Sequence, residues 1–575
     1  MDRMTPQPMN SRYLGMVRSA ACAGFAAVLL AACGGGGGGS GTPPPANVTI
    51  SGRITFDRIP FDATLDNGLN PAGTVQLPAR EVTVQAIDAS SNAVLATATT
   101  DANGTYSVAV PSNRQLFIRA RAEMVKNDVA PTWNFTVRNN TNSDALYAVD
   151  GAAASSGTAN STRNLNAPSG FGTNSYTGER AAAPFAILDT VFKAKELVRG
   201  ASPNAVFPAL SLFWSENNRP TAGRFCPDDG DIGTTSYIVF TGGERDGCTV
   251  PQTNPDGIYI LGNFAVGDTD EFDEAVIAHE YGHYIEDRFG RSDSVGGEHG
   301  GSETPLDLRV AFGEGWGNAF SSMVRGDPIY RDSQQGVTSD FQIDMESDDP
   351  LNEGWFSEAS VEEILWDLFD PANEPNDTIE LGFTPIFNVM TSAQVNTDAV
   401  TSIFSFVTGL RAANPGSLAA INALVSGEGI NGTGDFGDGE TNDGNPSVDN
   451  GVLPIYRDIS LNAAGTIVCS RSPFGNTSSN KLGNRGFLRF VNDAQRLVTI
   501  TAAASNASGG VPATDPDMFV LRRGTLAAFG AGTGSSETIS QIALVPATYI
   551  IEVFDFDVDG APATPRCMTV SVTGN

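Results

Sequence analysis

The spacing of apolar residues changes twice along this chain of 575 residues, and these changes limit its fold. From 48 to about 123, apolar and polar residues alternate in short β-branched runs separated by turn residues, which predicts strands. From 183 the apolar spacing becomes three or four, as in helices, and from about 459 it returns to two. One compact domain seldom reaches this length. We therefore expect a multidomain protein in which two β-rich units flank a mixed α+β unit.

These changes give the boundaries of six predicted segments. Residues 151–180 are rich in Ala, Ser, Asn, Thr and Gly, a composition typical of linkers. The segments are a signal peptide (1–32), a Gly/Pro-rich tether (33–47), a β-sandwich (48–150), the linker (151–180), the α+β core (181–452) and a second β-sandwich (453–575).

The N-terminus has the order of an export signal, with Arg3, Arg12 and Arg18 preceding an apolar run at 20–32. The run ends in Leu-Ala-Ala-Cys, which resembles a bacterial lipobox and implies that Cys33 carries lipid. That resemblance implies a protein anchored to the membrane at the bacterial cell envelope or outer surface. Ordinary secretion, with cleavage at the preceding alanines and release from the cell, is the alternative.

The cysteine count predicts two disulfides. Of six cysteines, Cys22 leaves with the signal and Cys33 takes lipid. Four cysteines allow three connectivities, and an even number in an exported protein favours disulfides. We predict pairs that each lie inside one domain, namely Cys226–Cys248 and Cys469–Cys567.

The net charge argues against nucleic acid as a partner. The chain has 34 basic and 66 acidic residues, a formal charge of -32, and no basic stripe that would neutralise phosphates.

A candidate metal site lies in the predicted helix 275–289. His279 and His283 are four residues apart, so both imidazoles project from one helix face and can reach one ion. Glu280 can lie beside a water on that ion and take its proton. The chain has only three histidines, and two of them form this pair. The pattern predicts a zinc site with Glu280 as general base.

A third ligand is suggested by a second motif. The segment His-Glu-Tyr-Gly-His, followed by Gly-Glu-Gly-Trp-Gly-Asn-Ala-Phe at 313–320, resembles thermolysin-like zinc peptidases, the gluzincins, and their fungalysin branch most. The resemblance is specific over 275–323. It implies Glu314 as the third zinc ligand, an α+β zincin-like metallopeptidase core, and a zinc-dependent endopeptidase acting on proteins or peptides. Phe289 stands where a metzincin would have its third histidine, which excludes that class.

The sequence departs from this family at two places. Asn318 replaces the aspartate that orients a zinc-bound histidine, so we expect Asn318→Asp to retain or tighten zinc binding. The histidine that stabilises the oxyanion is missing at 357–360. His299 or Tyr330 could take that role. Alternatively, His299 is a loop histidine without this role, or it competes with Glu314 for zinc.

The flanking regions carry resemblances of their own. Residues 48–150 resemble the transthyretin-like or carboxypeptidase-regulatory-like β-sandwich, and the last segment resembles the pre-peptidase C-terminal domain of bacterial peptidases. The expected architecture is a zincin-like core between two small β-sandwiches. The functional alternatives are an aminopeptidase and a surface lipoprotein that binds polymers or proteins through a degenerate peptidase scaffold.

Two further features bear on ligands and substrate. The strand predicted at 257–261 is expected to be the edge along which an extended peptide pairs. A glycine-rich loop at 427–451 carries acids that suit calcium, although a solvated acidic loop would have the same composition. These acids are Asp435, Asp438, Glu440, Asp443 and Asp449.

Overall fold

The structure is a computed structural model that describes residues 46–222, 224–240, 248, 255–297, 299, 305–334, 336–347, 353–371, 378–444, 451–471, 480–506, 510–558 and 564–575. The predicted signal peptide, Cys33 and nearly all of the tether lie outside these residues. Within them, no helix has the length and apolarity needed to cross a bilayer.

Twelve strands occupy the N-terminal part. In β1, β5 and β6, successive residues alternate between buried and more exposed positions, as the period of two predicts, so that one face packs into the core. The strands are β1 (Asn47–Arg58), β2 (Val75–Pro78), β3 (Val82–Asp88), β4 (Val94–Thr99), β5 (Thr105–Pro111), β6 (Gln115–Lys126), β7 (Trp133–Asn139), β8 (Ala145–Leu146), β9 (Ala148–Asp150), β10 (Ala154–Ser155), β11 (Ser161–Thr162) and β12 (Leu165–Ala167).

The middle part is mixed α and β. The helix predicted at 275–289 is present and begins one residue earlier, at Glu274. The elements are α1 (Ala183–Ala201), β13 (Leu210–Trp214), β14 (Ser236–Ile238), β15 (Gly257–Ile260), α2 (Glu274–Phe289), α3 (Leu308–Arg325), β16 (Ile329–Gln334), β17 (Ser339–Asp344), α4 (Glu358–Asp367), α5 (Phe383–Met390), α6 (Ala393–Asn396), α7 (Ile403–Ala413) and α8 (Leu418–Gly427).

The C-terminal part consists of two five-stranded sheets around a core of their own, in which Leu488, Ile551 and Val570 are fully buried. One sheet has the order β18-β20-β26-β23-β24, and the other has β19-β27-β21-β25 with β22 on β27. The strands are β18 (Tyr456–Ile459), β19 (Thr466–Ser470), β20 (Gly486–Asn492), β21 (Arg496–Ala504), β22 (Val511–Pro512), β23 (Pro516–Arg522), β24 (Thr525–Gly530), β25 (Ser536–Leu544), β26 (Ala547–Asp555) and β27 (Arg566–Gly574).

The boundary predicted between the N-terminal sandwich and the core is crossed by a sheet. Its main path runs β14-β15-β13-β7-β6-β3-β4. Strand β7 pairs in parallel with β13, so that Phe135 lies opposite Leu210. The Phe135 ring also meets the rings of Tyr281 and Tyr284 on α2, at 6.0 and 6.5 Å between centroids. Strands of residues 48–150 therefore share one sheet with strands of the core across the predicted boundary.

The predicted linker at 151–180 is also structured in its first half. Strands β11 and β12 pair in parallel with β1, with Ile50 opposite Ser161 and Ile54 opposite Leu165. The asparagine Asn164 accepts a hydrogen bond from the backbone N–H of Arg53 at 3.0 Å. The linker-like composition thus reflects short polar side chains that bind the neighbouring strand.

Both predicted disulfides are present. Cys226–Cys248 closes 22 residues in the core, and Cys469–Cys567 closes 98 residues in the C-terminal sandwich.

The C-terminal sandwich contacts the core through a buried ion-pair network at the start of α3. The guanidinium of Arg309 pairs with Asp307, at 2.9 Å, and with both oxygens of Glu552 on β26, at 2.9 and 3.0 Å. Arg485 also donates to Glu552, at 2.5 Å. Arg309 and Glu552 are fully buried, so their charges are compensated only within this network.

Candidate metal centre

Helices α2 and α3 bring the three predicted ligands together. The two Nε2 atoms of His279 and His283 lie 3.0 Å apart. The Oε2 atom of Glu314 lies 3.3 Å from the first and 3.4 Å from the second. Ligand atoms bound tetrahedrally to zinc at about 2.0–2.1 Å are separated by about 3.3 Å. The two nitrogens and one oxygen therefore fit a catalytic zinc.

Glycines in α3 permit this close arrangement, although a glycine inside a helix costs about 1 kcal/mol relative to alanine. A Cβ on Gly317 would lie 2.7 Å from Cε1 of His279, and one on Gly315 would lie 2.6 Å from Cβ of Val361 on α4. A Cβ on Gly282 of α2 would lie 3.3 Å from the Cα of Gly317. The glycines of the second motif thus let α3 pack tightly against both α2 and α4.

The second ring nitrogen of His279 has a close polar partner, whereas that of His283 has a carboxylate at a longer distance. Nδ1 of His279 lies 2.7 Å from Oδ1 of Asn318. Since that oxygen only accepts, Nδ1 carries the proton and Nε2 keeps its lone pair for a metal. Nδ1 of His283 lies 4.0 Å from Oε2 of Glu286, which is buried one turn further along α2.

The charges at the centre are strongly coupled. Burial alone would raise the pKa of Glu314, but His283, His279 and His299 outweigh it and hold this pKa well below its usual range. Burial alone would lower the pKa of His283, but Glu314 and Glu286 prevail and raise it well above its ordinary value. The carboxylates around the histidines thus favour positive charge at this place, as a cation site requires.

Glu280 lies beside the ligands and is buried, with an exposed fraction of 7%. Burial raises its pKa, which suits a group that must accept a proton. Its Oε2 accepts a hydrogen bond from the backbone N–H of Tyr237 on β14, at 2.6 Å.

Strand β14 is the edge strand of the large sheet next to this centre, as far as the structure describes it. The strand predicted at 257–261 does not have this position. Strand β15 pairs on one side with β13 and on the other with β14, so it is an internal strand. The expectation that 257–261 forms the edge is therefore wrong, because the short segment Ser236–Ile238 covers it.

Both candidates for the missing oxyanion group lie close to the ligands. Nε2 of His299 lies 3.2 Å from Oε2 of Glu314, and its Nδ1 lies 3.1 Å from Oε2 of Glu358 on α4. Burial alone would lower the pKa of His299, but these two carboxylates raise it to about 10. The ring of Tyr330 lies 6.1 Å from that of His279.

The acidic loop predicted to bind calcium has other contacts. Glu440 accepts four backbone N–H bonds, from Asn431, Gly432, Thr441 and Asn442. Asp435 accepts from Thr397, and Asp438 pairs with Arg489 at 3.6 Å. Asp449 lies outside the described residues. Where the chain is described, the loop acids, Asp443 included, form no cluster with ligand atoms within 4.8 Å of one another.

Sequence analysis missed an acidic cluster before α2. Asp268, Asp270 and Asp332 each offer an oxygen within 4.8 Å of the other two. Asp273, the residue before α2, accepts a hydrogen bond from the backbone N–H of Ser333 at 2.7 Å and does not cap the helix with its side chain. The acid-rich composition at 268–274 could have indicated two members of this cluster. It could not indicate the third, Asp332, which comes from β16.

The comparisons with known proteins support a peptidase-associated region. Residues 248–424 match the family described as Mycolysin C-terminal domain. This stretch contains all three candidate ligands and Glu280. It supports a metallopeptidase-associated domain and, with it, the use of a metal and a protein or peptide substrate. No curated protein matches the chain.

Solved structures give only distant similarity. The pre-peptidase C-terminal domain of a collagenase from Bacillus anthracis is 12% identical, with a TM-score of 0.16, over 20% of this chain and 93% of that one. PliG from Aeromonas hydrophila, a periplasmic inhibitor of g-type lysozyme, is 12% identical, with a TM-score of 0.13, over 20% of this chain and 98% of that one.

Proposed function

We propose that this protein is an exported zinc-dependent endopeptidase that is held at the bacterial cell envelope by lipid on Cys33. The observation that carries the proposal is the convergence of His279, His283 and Glu314 at the spacing of zinc ligands, with Glu280 beside them. The family match over residues 248–424 covers the same four side chains.

His279, His283 and Glu314 would hold the zinc. A zinc ion held there would act as a Lewis acid on the scissile carbonyl and would lower the pKa of a water toward 7. Glu280 takes a proton from that water and later delivers it to the leaving amine. No group of the protein forms a covalent bond with the substrate in this reaction.

His299 is proposed to stabilise the oxyanion, with Glu358 as its support. Glu358 lies in the segment where related enzymes would carry the missing histidine, and the imidazole now comes from the loop before α3. His299 directs its Nε2 atom at the centre, 3.2 Å from the ligand oxygen of Glu314, where an imidazole N–H could donate to an oxyanion. Strand β14 offers the sheet edge for an extended peptide.

The deciding experiment compares hydrolysis of an unfolded generic protein by a chain starting at residue 34 and by its Glu280→Gln variant, both loaded with zinc. We expect the variant to lose activity by about 10²–10⁴-fold while keeping its zinc, because only the proton transfer is removed. Glu380→Gln, an exposed acid, is the matched control and should retain full activity. If neither zinc-loaded protein cleaves, the endopeptidase proposal fails, and a binding protein with a peptidase-like scaffold becomes the better explanation.

Three companion measurements separate the remaining alternatives. Mass spectrometry of the products distinguishes internal cleavage from stepwise trimming by an aminopeptidase. The variant His299→Gln should lower kcat by about 10²–10³-fold at unchanged zinc content, whereas loss of zinc would identify His299 as a ligand. The variant Cys33→Ser should move the full chain from the membrane fraction to the soluble one.

A further inference from the structure

A carboxylate on α4 lies directly behind the amide that contacts the first zinc histidine. Oε2 of Glu362 accepts a hydrogen bond from Nδ2 of Asn318 at 2.6 Å. On the other side of the same amide, Oδ1 lies 2.7 Å from Nδ1 of His279. The three side chains therefore form a continuous chain of hydrogen bonds that ends at a metal ligand.

The donor and acceptor groups of these side chains determine the direction of each hydrogen bond. A carboxylate only accepts hydrogen bonds, so the amino group of Asn318 must face Glu362, and its carbonyl oxygen must face His279. The histidine in turn must donate from Nδ1, which leaves Nε2 free for the metal. Glu362 thus selects both the orientation of the amide and the tautomer of the imidazole.

Burial strengthens this coupling. Asn318 is 5% exposed and Glu362 is 2% exposed. In such surroundings, a charge polarises the hydrogen bonds next to it more than it would in water. The carbonyl of Asn318 therefore presents more negative charge to His279 than a neutral amide alone would.

Gly315 in α3 allows α4 to come close enough for Glu362 to reach Asn318. A Cβ on Gly315 would lie 2.6 Å from Cβ of Val361 and 2.7 Å from the carbonyl oxygen of Glu358. Only a glycine at this position lets the first turns of α4 approach α3 so closely. Glu362 is next to Val361 and is carried to Asn318 by the same approach.

We propose that Glu362 is a positioning residue for zinc: through Asn318 it supplies the negative charge that orients His279 and raises its basicity. The proposal rests on the zinc site proposed above and deepens it. It also explains why an asparagine occupies this position. An aspartate at 318 would place two buried carboxylates in direct contact, which reverses the expectation from sequence that Asn318→Asp would retain or tighten zinc binding.

The test is a double-mutant cycle on the zinc dissociation constant of the full chain, measured by chelator competition. Glu362→Gln keeps a hydrogen-bond acceptor but removes the charge, and we expect it to weaken zinc binding about 10-fold or more. Asn318→Asp alone should also weaken binding, because of the repulsion. The double variant, with one carboxylate now directly on His279, should return to within about threefold of the wild type.

The matched control is Glu363→Gln, which neutralises the adjacent buried acid on α4 and should leave zinc affinity unchanged. Thermal unfolding of the zinc-free proteins shows whether each variant is folded, so that loss of folding is recognised separately. The proposal is overturned if Glu362→Gln binds zinc as the wild type does, or if the double variant binds no better than Asn318→Asp. Since the readout is zinc affinity, a wild type that binds zinc without cleaving peptides would refute the endopeptidase function and leave this proposal standing.

Discussion

The two β-rich regions are joined to the metal-bearing core in different ways. The N-terminal strands continue the sheet on which α2 packs, and they contribute the apolar residue Phe135 to the contact with that helix. The C-terminal sandwich has a hydrophobic core of its own and reaches α3 through the buried pair Arg309–Glu552. The first connection is a continuous sheet. The second joins separate sheets to the core by packing, in which apolar side chains such as Phe487 and Phe554 accompany the buried ion pair. The N-terminal region should therefore be indispensable for folding the core, and the C-terminal one should fold by itself.

The largest expected effect comes from cutting the chain at the two predicted domain boundaries. A chain beginning at residue 181 loses β7, so that β13 loses a neighbour and α2 loses the Phe135 ring. We expect it to be insoluble or unfolded by circular dichroism. The segment 453–575, which contains Cys469–Cys567, should instead unfold cooperatively in urea when expressed alone. Cooperative unfolding of the chain beginning at 181 would refute the comparison.

Removing one partner of the buried ion-pair network should have the next largest effect. Glu552→Gln leaves the guanidinium of Arg309 buried without its full charge partner, and we expect a loss of about 3–5 kcal/mol in the free energy of unfolding of the full chain. The matched control is Asp493→Asn, whose pair with Arg496 is exposed, with an expected change below about 0.5 kcal/mol. Urea unfolding measures both, and equal effects would show that the network does not stabilise the docked sandwich.

The same network predicts a pH dependence. Burial would raise the pKa of Glu552, but Arg309 and Arg485 outweigh it and lower this pKa to about 2. A lowered carboxyl pKa stabilises the fold above the ordinary pKa of glutamate, near 4.5, and this contribution disappears as the pH falls toward 2. Stability should fall by about 3 kcal/mol over that window because of this group, and Glu552→Gln should lack that part of the fall. If the free energy of unfolding of the variant falls with acid as much as that of the wild type, Glu552 is not the group responsible.

The smallest expected effect concerns the N-terminal connection. Asn164→Ala removes the acceptor of the Arg53 N–H beside β1, and we expect a loss of about 0.5–1 kcal/mol in the free energy of unfolding. Asn174→Ala, at an exposed position of the same predicted linker, should change it by less than about 0.5 kcal/mol. If the two variants have the same free energy of unfolding, the side chain of Asn164 does not stabilise the strand pairing.

The local parts of this structure could be predicted from the sequence because their signals are local. The alternation in 105–110 corresponds to buried Tyr106, Val108 and Val110 on one face of β5. The two histidines fall on one face of α2 because helical geometry puts residues four apart together.

The long-range parts could not be predicted, because nothing in a short window identifies a distant partner. Ile50 pairs with Ser161, and Arg309 pairs with Glu552, which is 243 residues away. Glu362 looks like one of two ordinary acids in an amphipathic helix until Gly315 brings it next to Asn318. The same limit applies to β14, which is too short to reveal that it covers β15.

The glycines of α3 also limit how this protein can change during evolution. A Cβ added to Gly315 or Gly317 would lie less than 3 Å from atoms of a neighbouring helix, so a substitution there cannot be absorbed by choosing another rotamer. Compensation would require two helices to separate together, and no single mutation achieves that. We expect sequence drift in related proteins to accumulate on other faces of this helix, while these two positions remain fixed even in relatives whose substrates have diverged.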